Sequence, residues 1–470
     1  MKKEYKNLIS NSVVFTIANL GSKVISFVMV PLYTYVLSTK EYGVVDLLTT
    51  ISSLTIPLVF MCMSDAVLRY SMDKRYDCRQ VITSALSIFS VGGIVSIIVM
   101  GIIKGIYPQT SEYIVVFYLL FITTALMQIL NQFLRATEHI KAYAVNGVIY
   151  TLAFASLNVL FLVVLHRGIK GYLYSMVITN VICIVIACII SRIWKYINRT
   201  PTLQIMGILL RYSLPLVPNA LMWWIMDASD KFVITYFLGV GANGLYAVAK
   251  KLPTLIDTVH SIFNQAWLMS AIQENENPNS TEFTTQTYKI YSFFLMGAVL
   301  VIMIIARPFV VYILNKEYIK TWLYIPWLLI SVAFSSMSGF LSSKLIANEQ
   351  TALILKTTVV GAAVNLVMNF ILIPIVGING AGIATMISFG IVLIIREKLL
   401  IKEKKLYISF SRFKIAIIMC GQLVVYYAFP IWMAEGAMIL FLCMYMFFMR
   451  DIVRRLLQLI IFKGEKNEKK

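Results

Sequence analysis

Residues 35–54 read "YVLSTKEYGVVDLLTTISSL" and residues 236–255 read "YFLGVGANGLYAVAKKLPTL". At a constant offset of 201, Tyr35 meets Tyr236, Leu37 meets Leu238, Gly43 meets Gly244, Ser53 meets Thr254 and Leu54 meets Leu255. A second match, at offset 211, lays residues 135–171 over 346–382, pairing Ala136 with Ala347, Glu138 with Glu349, Asn158 with Asn369 and Gly171 with Gly382. Two matches in order, at nearly one offset, indicate an internal duplication. Its unit covers six predicted helices, an even number, so both copies enter the membrane from the same side. Such parallel repeats are related by a pseudo-two-fold axis along the membrane normal.

The helices themselves follow from composition. The chain has 470 residues, of which 59% are hydrophobic and only 13% charged, a balance that no soluble domain of this length could carry on its surface. A bilayer core needs about 20 apolar residues per helix, and backbone hydrogen bonding leaves helices as the form for long apolar runs. Uncharged runs between polar breaks predict about fourteen spans, including 43–68, 207–237, 244–270 and 380–395. The expected fold class is an all-α polytopic membrane protein of about 14 transmembrane helices. Its expected parts are an N-terminal lobe of helices 1–6 (residues 1–200), a C-terminal lobe of helices 7–12 (201–398), and two additional helices with a basic tail (399–470).

Charge orients the chain. With fourteen spans, 30 of the 41 Lys and Arg fall on the side of the N-terminus, the even-numbered loops and the tail, and six on the opposite side. Both termini are therefore expected in the cytoplasm, where the basic clusters also face anionic membrane lipids. A basic soluble face with exposed aromatics is missing from the pattern, which argues against a nucleic-acid partner. The six cysteines sit mostly inside predicted spans, with no ligand or redox spacing, so no metal and no cofactor is expected.

Polar residues are concentrated on the first two helices of each lobe. On a wheel of about 100° per residue, helix 2 gathers Asp46, Thr50, Ser53, Pro57 and Ser64, and helix 8 gathers Lys250, Thr254, Asp257, Ser261 and Asn264. Helix 1 carries Ser12, Asn19, Lys23 and Ser26 on one face, and helix 7 carries Asn219, Trp223, Asp227 and Asp230. Each charge at a helix centre costs roughly 2.5 to 3.5 kcal/mol on insertion scales, so charges that share equivalent faces point to a wet inter-lobe cavity. The bland alternative is that Lys231, Lys250 and Lys251 snorkel to the headgroups, or that Lys250 pairs with Asp257. Lys23, Lys231, Lys250, Lys251 and Arg307 lie within spans, with Arg69 and Arg211 near cytoplasmic ends, and can neutralise an anionic headgroup such as a phosphate. Asp46, Asp65, Asp227, Asp230 and Asp257 are candidates for a coupling proton or cation. His260 lies beside the helix 8 stripe, with packing favoured over proton relay.

Two stretches carry a family resemblance: "VPLYTYVLSTKEYGVVDLLTTISSL" (30–54) and "RYSLPLVPNALMWWIMDASDKFVITYFLGVGANGLYAVAKKLP" (211–253), and within the second Asp230, Lys231, Gly239, Gly244 and Tyr246. Together with the fourteen-helix length they resemble the Wzx-type oligosaccharide flippases of the multidrug/oligosaccharidyl-lipid/polysaccharide (MOP) exporter superfamily. The resemblance implies two six-helix lobes forming a V around a central cavity, and translocation of undecaprenyl-pyrophosphate-linked oligosaccharide to the outer leaflet of a bacterial plasma membrane. It implies that Lys23, Lys250 and Lys251 hold the anion, that an ion gradient couples transport, and that a polysaccharide polymerase and a chain-length regulator are partners. The acids on helices 7 and 8 depart from a uniformly basic cavity. Three rival readings are a multidrug cation antiporter of the same fold, a lipid II flippase, and an integral-membrane polymerase. The polymerase would need a sizeable outer loop, and the predicted outward loops are short.

Overall fold

Prolines and one pair of left-handed residues cut the predicted spans into seventeen helices in the computed structural model, which describes residues 25–106, 111–197, 201–275, 277–407, 412–448 and 450. Helix 1 of the sequence is α1 (Ile25–Val36) and helix 2 is broken into α2 (Thr39–Val59) and α3 (Met63–Met72). Four helices follow: α4 (Cys78–Ile106), α5 (Ser111–Ala136), α6 (Ile140–Asn158) and α7 (Gly168–Ser191), with a π-helical turn Val159–Val164 closing α6. Helix 7 is α8 (Leu203–Ser213) joined to α9 (Leu216–Leu238), and helix 8 is α10 (Val240–Ala249) followed by α11 (Pro253–Gln273). The remainder are α12 (Ser280–Ile313), α13 (Ile325–Ala347), α14 (Thr351–Val376), α15 (Ile378–Lys402), α16 (Arg412–Ala428) and α17 (Ile431–Phe448). Eleven segments among the described residues are long and apolar enough to cross a membrane, and three shorter apolar helices accompany them. The all-α polytopic reading therefore stands.

Each break has a local cause. Ser38 caps α2 through a capping box with Glu41, which stops α1 from running on. Pro253 cannot donate to the preceding turn, so Lys250–Leu252 unwind between α10 and α11. Pro215 divides α8 from α9 in the same way. Between α2 and α3 there is neither glycine nor proline; Met61 (φ 51°) and Cys62 (φ 50°) both take left-handed conformations, an unusual cost for such side chains.

The chain separates into two compact units, Met1–Ala247 and Val248–Lys470. The division differs from the boundary at 200 expected from the repeat, because α9 and α10 pack on α2 and so join the first unit. Within that unit Met63, Val81, Ile82, Phe133, Leu134 and Leu209 form a core with at most 1% exposure, knitting α3, α4, α5 and α8. Amide groups tie the middle of the unit: Asn146 Nδ2 donates to Asn131 Oδ1 (3.0 Å) and to the Cys183 carbonyl (3.3 Å), and Asn180 Nδ2 donates to the hydroxyls of Thr123 and Thr124. Interhelical bonds of this kind contribute about 0.6 kcal/mol each in a membrane, where apolar contact alone gives little preference over lipid.

In the second unit, Arg396 corrects the sequence reading. Its charge marked the end of helix 12 at residue 395, but α15 continues to Lys402 and Arg396 is 2% exposed. The guanidinium spends its donors on neutral oxygens: the hydroxyls of Thr357, Thr358, Ser338 and Ser342 and the carbonyls of Ser338 and Ile354. It thereby joins α13, α14 and α15. The C-terminal hairpin α16–α17 is bound comparably: Gln422 Nε2 donates to the Leu300 carbonyl, Tyr426 and Tyr427 hydroxyls to the carbonyls of Trp322 and Leu323, and the Tyr445 hydroxyl to that of Phe293.

Arg307, a sequence candidate for the cargo anion, completes that hairpin contact. Nη1 donates to the carbonyls of Tyr426 (3.1 Å) and Phe429 (2.7 Å), and the guanidinium lies 4.3 Å from the Trp322 ring centroid. Hydrogen bonds from a charged donor are worth about 1.5 to 3 kcal/mol, and a cation–π contact about 1 more. Arg307→Ala is therefore expected to raise amide exchange in residues 422–432 by at least about tenfold, with no change in α4–α7. Unaltered exchange would show that the hairpin holds without it.

Candidate functional site

One polar cluster is built on α2, α9 and α10 within the first unit, and the start of α11 in the second unit carries further candidates. Asp46 sits two turns into α2 and points at α9, where Lys231 Nζ donates to Asp46 Oδ1 (2.9 Å) and to Thr50 Oγ1 (3.0 Å). The pair is largely buried, at 14% and 17% side-chain exposure. From α10, Asn243 Nδ2 donates to Asp46 Oδ2 (3.1 Å) and to the Gly43 carbonyl (3.3 Å). One turn further along α2, Trp224 Nε1 donates to Ser53 Oγ (3.2 Å) and to the Thr50 carbonyl (3.4 Å). Asp46 and Thr50 of the helix 2 stripe thus meet α9 and α10, and Ser53, which stays exposed, is bonded by Trp224. Lys231 is an ion-pair partner rather than a snorkelling residue.

Beside this knot, α2 and α10 cross at glycines. A Cβ added to Gly43 would run into the Val240 carbonyl oxygen and stand 3.1 Å from the Gly244 nitrogen. One added to Gly244 would run into the Thr39 carbonyl oxygen and stand 3.1 Å from the Gly43 nitrogen. Neither collision is with a side chain that can rotate away, so only glycine permits this approach. Asp230, 2% exposed, accepts from the Tyr246 hydroxyl of α10.

The remaining residues of α9 and α11 behave differently. Asn219, Trp223 and Asp227 are spaced one turn apart on α9 and all are exposed; on α11 Asp257 and Ser261 are exposed one turn apart, with Lys250 and Thr254 partly buried above them. Lys250 and Lys251 occupy the unwound turn between α10 and α11, whose backbone is held by bonds from Lys251 N to the Val248 carbonyl and from Thr254 N to the Lys250 carbonyl. Asn264 leaves the stripe: its Oδ1 accepts from Ser343 of α13. His260 Nδ1 shares a hydrogen bond with the Tyr291 hydroxyl, and its Nε2 lies 2.8 Å from where a Cβ on Gly339 would stand, a packed position.

Four candidates stand apart from these helices. Arg69 lies 6.0 Å from the Tyr212 ring centroid; Asp65 is exposed in the first turn of α3; Arg211 is exposed at the end of α8; and Arg307 serves the hairpin. Asn19 and Lys23 lie outside the described residues, as does Ser12. Asn243 was missed by sequence reasoning, because in "GVGANG" it reads as turn residue. Its signal was position: it immediately precedes Gly244, the partner of Gly43 in the repeat.

Comparison with known proteins supplies a family and a fold. The model of a family described as "Polysaccharide biosynthesis protein" matches residues 8–268. No curated protein matches the sequence. Among solved structures, the lipid II flippase MurJ in an inward closed conformation is similar with a TM-score of 0.73 at 16% identity, over 94% of this chain and 100% of that one. A multidrug resistance MATE family transporter of the MOP superfamily, in its inward-facing conformation, is similar with a TM-score of 0.64 at 14% identity, over 84% and 94%. A Vibrio cholerae MATE transporter gives 0.57 at 14%, over 85% and 98%. The fold is that of the MOP exporters.

Proposed function

Because the chain belongs to the polysaccharide biosynthesis protein family, we propose that it is a flippase for lipid-linked oligosaccharide. Its cargo in this reading is an undecaprenyl-pyrophosphate-linked sugar repeat unit, carried from the cytoplasmic to the outer leaflet of a bacterial plasma membrane for O-antigen, capsule or exopolysaccharide assembly. Transport proceeds by alternating access with ion-gradient coupling, and a polysaccharide polymerase and a chain-length regulator receive the product. Both termini are placed in the cytoplasm in this reading, which the lysine and arginine count supports.

The observation that carries this reading is an exposed polar stripe in each unit: Asn219, Trp223 and Asp227 on α9 of the first, and Asp257 and Ser261 on α11 of the second, which Lys250 and Lys251 precede in the chain. Hydroxyl, amide and aromatic groups suit a sugar, and the two ammonium groups suit the pyrophosphate. Lys23 is assigned with them to the anion. Asp227, Asp230 and Asp257 are assigned to the coupling ion, and Arg69 and Arg211 to first capture of the headgroup. The reading needs no catalytic residue. The MurJ structure is that of a lipid II flippase, which supports a lipid-linked sugar as the class of cargo.

The exposed carboxylates Asp227 and Asp257 favour one competing reading, export of an organic cation. Reconstituted protein is expected to move a fluorescent undecaprenyl-pyrophosphate oligosaccharide across liposomes and to leave a fluorescent organic cation in place. Cation movement without glycan movement would replace the flippase reading with the multidrug one.

A further inference from the structure

At one end of the first unit three tyrosines converge from different elements. Tyr70 lies one turn beyond Ala66 and Val67 on the buried face of α3, and Tyr212 lies one turn beyond Leu209 on that of α8. Tyr76 enters from the turn between α3 and α4, where its backbone nitrogen donates to the Asp73 carbonyl at 3.0 Å. The Tyr70 ring centroid stands 5.0 Å from that of Tyr76 and 5.5 Å from that of Tyr212, each pair edge to face. All three rings are half-buried, resting on the core where the apolar stripes of α3 and α8 leave it.

Packing accounts for the rings but not for their hydroxyls. Phenylalanine would make the same edge-to-face contacts, yet each ring carries a hydroxyl, and none of the three is hydrogen-bonded among the described residues. None is a buried orphan either, so all three reach the surface. A phenol hydroxyl both donates and accepts, which matches the hydroxyls of a sugar better than a bare phosphate. Beside them the Arg69 guanidinium, exposed, lies 6.0 Å from the Tyr212 ring centroid and forms no ion pair among the described residues. Of the neighbouring acids, Asp73 is engaged by Arg75, whose Nε and Nη2 donate to it at 3.0 and 2.7 Å. Asp77 accepts from the Arg79 backbone nitrogen at 3.0 Å, and Asp65 is exposed one turn before Arg69. A guanidinium suits phosphate through its paired donors.

We propose that Tyr70, Tyr76, Tyr212 and Arg69 form a binding site for a phosphate-linked sugar, in which the guanidinium holds the phosphate and the three hydroxyls hold the sugar joined to it. The site lies wholly within the first unit, and it rests on the flippase reading only for the lipid that carries that sugar. It adds sugar recognition to the headgroup capture assigned above to Arg69. The alternative is that the tyrosines anchor the unit at the membrane surface, where such side chains are common.

Removing the hydroxyls while keeping the rings separates the two. In a background lacking the six native cysteines, an environment-sensitive fluorophore on Met72→Cys reads the site locally, since Met72 is 63% exposed and close to Tyr70 in the chain. The probes are farnesyl pyrophosphate bearing a disaccharide and farnesyl pyrophosphate alone, and both are expected to bind the protein in micelles. Combining Tyr70→Phe, Tyr76→Phe and Tyr212→Phe is expected to weaken the sugar-bearing probe at least about tenfold and the sugar-free one less than about twofold, because each lost hydroxyl forfeits a hydrogen bond. Arg69→Gln is expected to weaken both. Unchanged affinity of the triple variant for the sugar-bearing probe makes the tyrosines an anchor and overturns the site, as does a fluorophore that responds to neither probe. Equal loss of both probes overturns the sugar assignment. Displacement by phosphatidylglycerol as readily as by unlabelled sugar-bearing probe gives the site to bilayer headgroups instead. Binding of the sugar-bearing probe by a protein that moves no lipid-linked glycan would sink the proposed function and leave the site standing.

Discussion

Lys250→Ala should slow flipping of an undecaprenyl-pyrophosphate oligosaccharide by at least about tenfold, and Lys250→Arg should restore most of it. A charge-assisted hydrogen bond to a phosphate oxygen contributes about 1.5 to 3 kcal/mol, and each 1.4 kcal/mol is tenfold in an equilibrium constant. Arginine retains the charge and adds donors in a fork that suits phosphate, so the reverse pattern, an arginine as poor as alanine, would point to a role for the slim lysine stem instead. Lys250 stands partly buried in the unwound turn before Pro253, at the head of the α11 stripe. A side chain that merely reached for the lipid headgroups would tolerate alanine. Proteoliposome flipping at matched protein density decides between them, and an alanine variant that flips at the native rate removes Lys250 from the mechanism.

Asp46→Ala is expected to destabilise the first unit by about 3 kcal/mol, as removal of one member of a buried ion pair typically does. The loss has two parts. Lys231 keeps only Thr50 as a side-chain acceptor at 14% exposure, and Asn243, fully buried, loses one of the two acceptors of its amide. An uncompensated ammonium in that position is the larger cost. Asp46→Ala with Lys231→Met should recover much of the stability, since methionine keeps the bulk of the lysine stem and no buried charge remains. Equilibrium unfolding in mixed micelles measures both variants. If the double variant is no better than the single one, the ion pair is not what joins α2 to α9.

The fold was legible because membrane spans announce themselves by long uncharged runs, and each of the fourteen predicted segments is mostly helical where it is described, three of them as two helices. Two of the breaks carry a proline, Pro215 and Pro253, yet Pro57 and Pro308 stand inside unbroken helices, so proline alone does not announce a break. The Met61–Cys62 break carries no such mark, since its left-handed residues are imposed by packing rather than by their own preference. For the site, periodicity showed which residues share a face but not what the face meets. Asp46 and Lys231 are 185 residues apart in the chain, and a wheel cannot show that they bond. Arg396 was read as a loop residue because charge usually ends a span, whereas here six neutral oxygens on neighbouring helices replace its water.

At the crossing of α2 and α10 the repeat offset of 201 pairs Thr39 with Val240 and Gly43 with Gly244, so each contact is the image of the other, which bears on ancestry. An interface in which residue i touches j while j touches i is the isologous arrangement of a two-fold homodimer. A half-length ancestor carrying one copy of this patch could have associated with itself through the contact that now joins α2 to α10, before fusion made the two copies a single chain. Fusion then freed each copy to change alone. Asp46 arose or persisted on one side only, against Ala247 on the other. In a homodimer every charge is duplicated across the axis, so an aspartate–lysine pair there would occur twice. A lone aspartate answered by a lone lysine is open only to a chain whose halves are no longer identical.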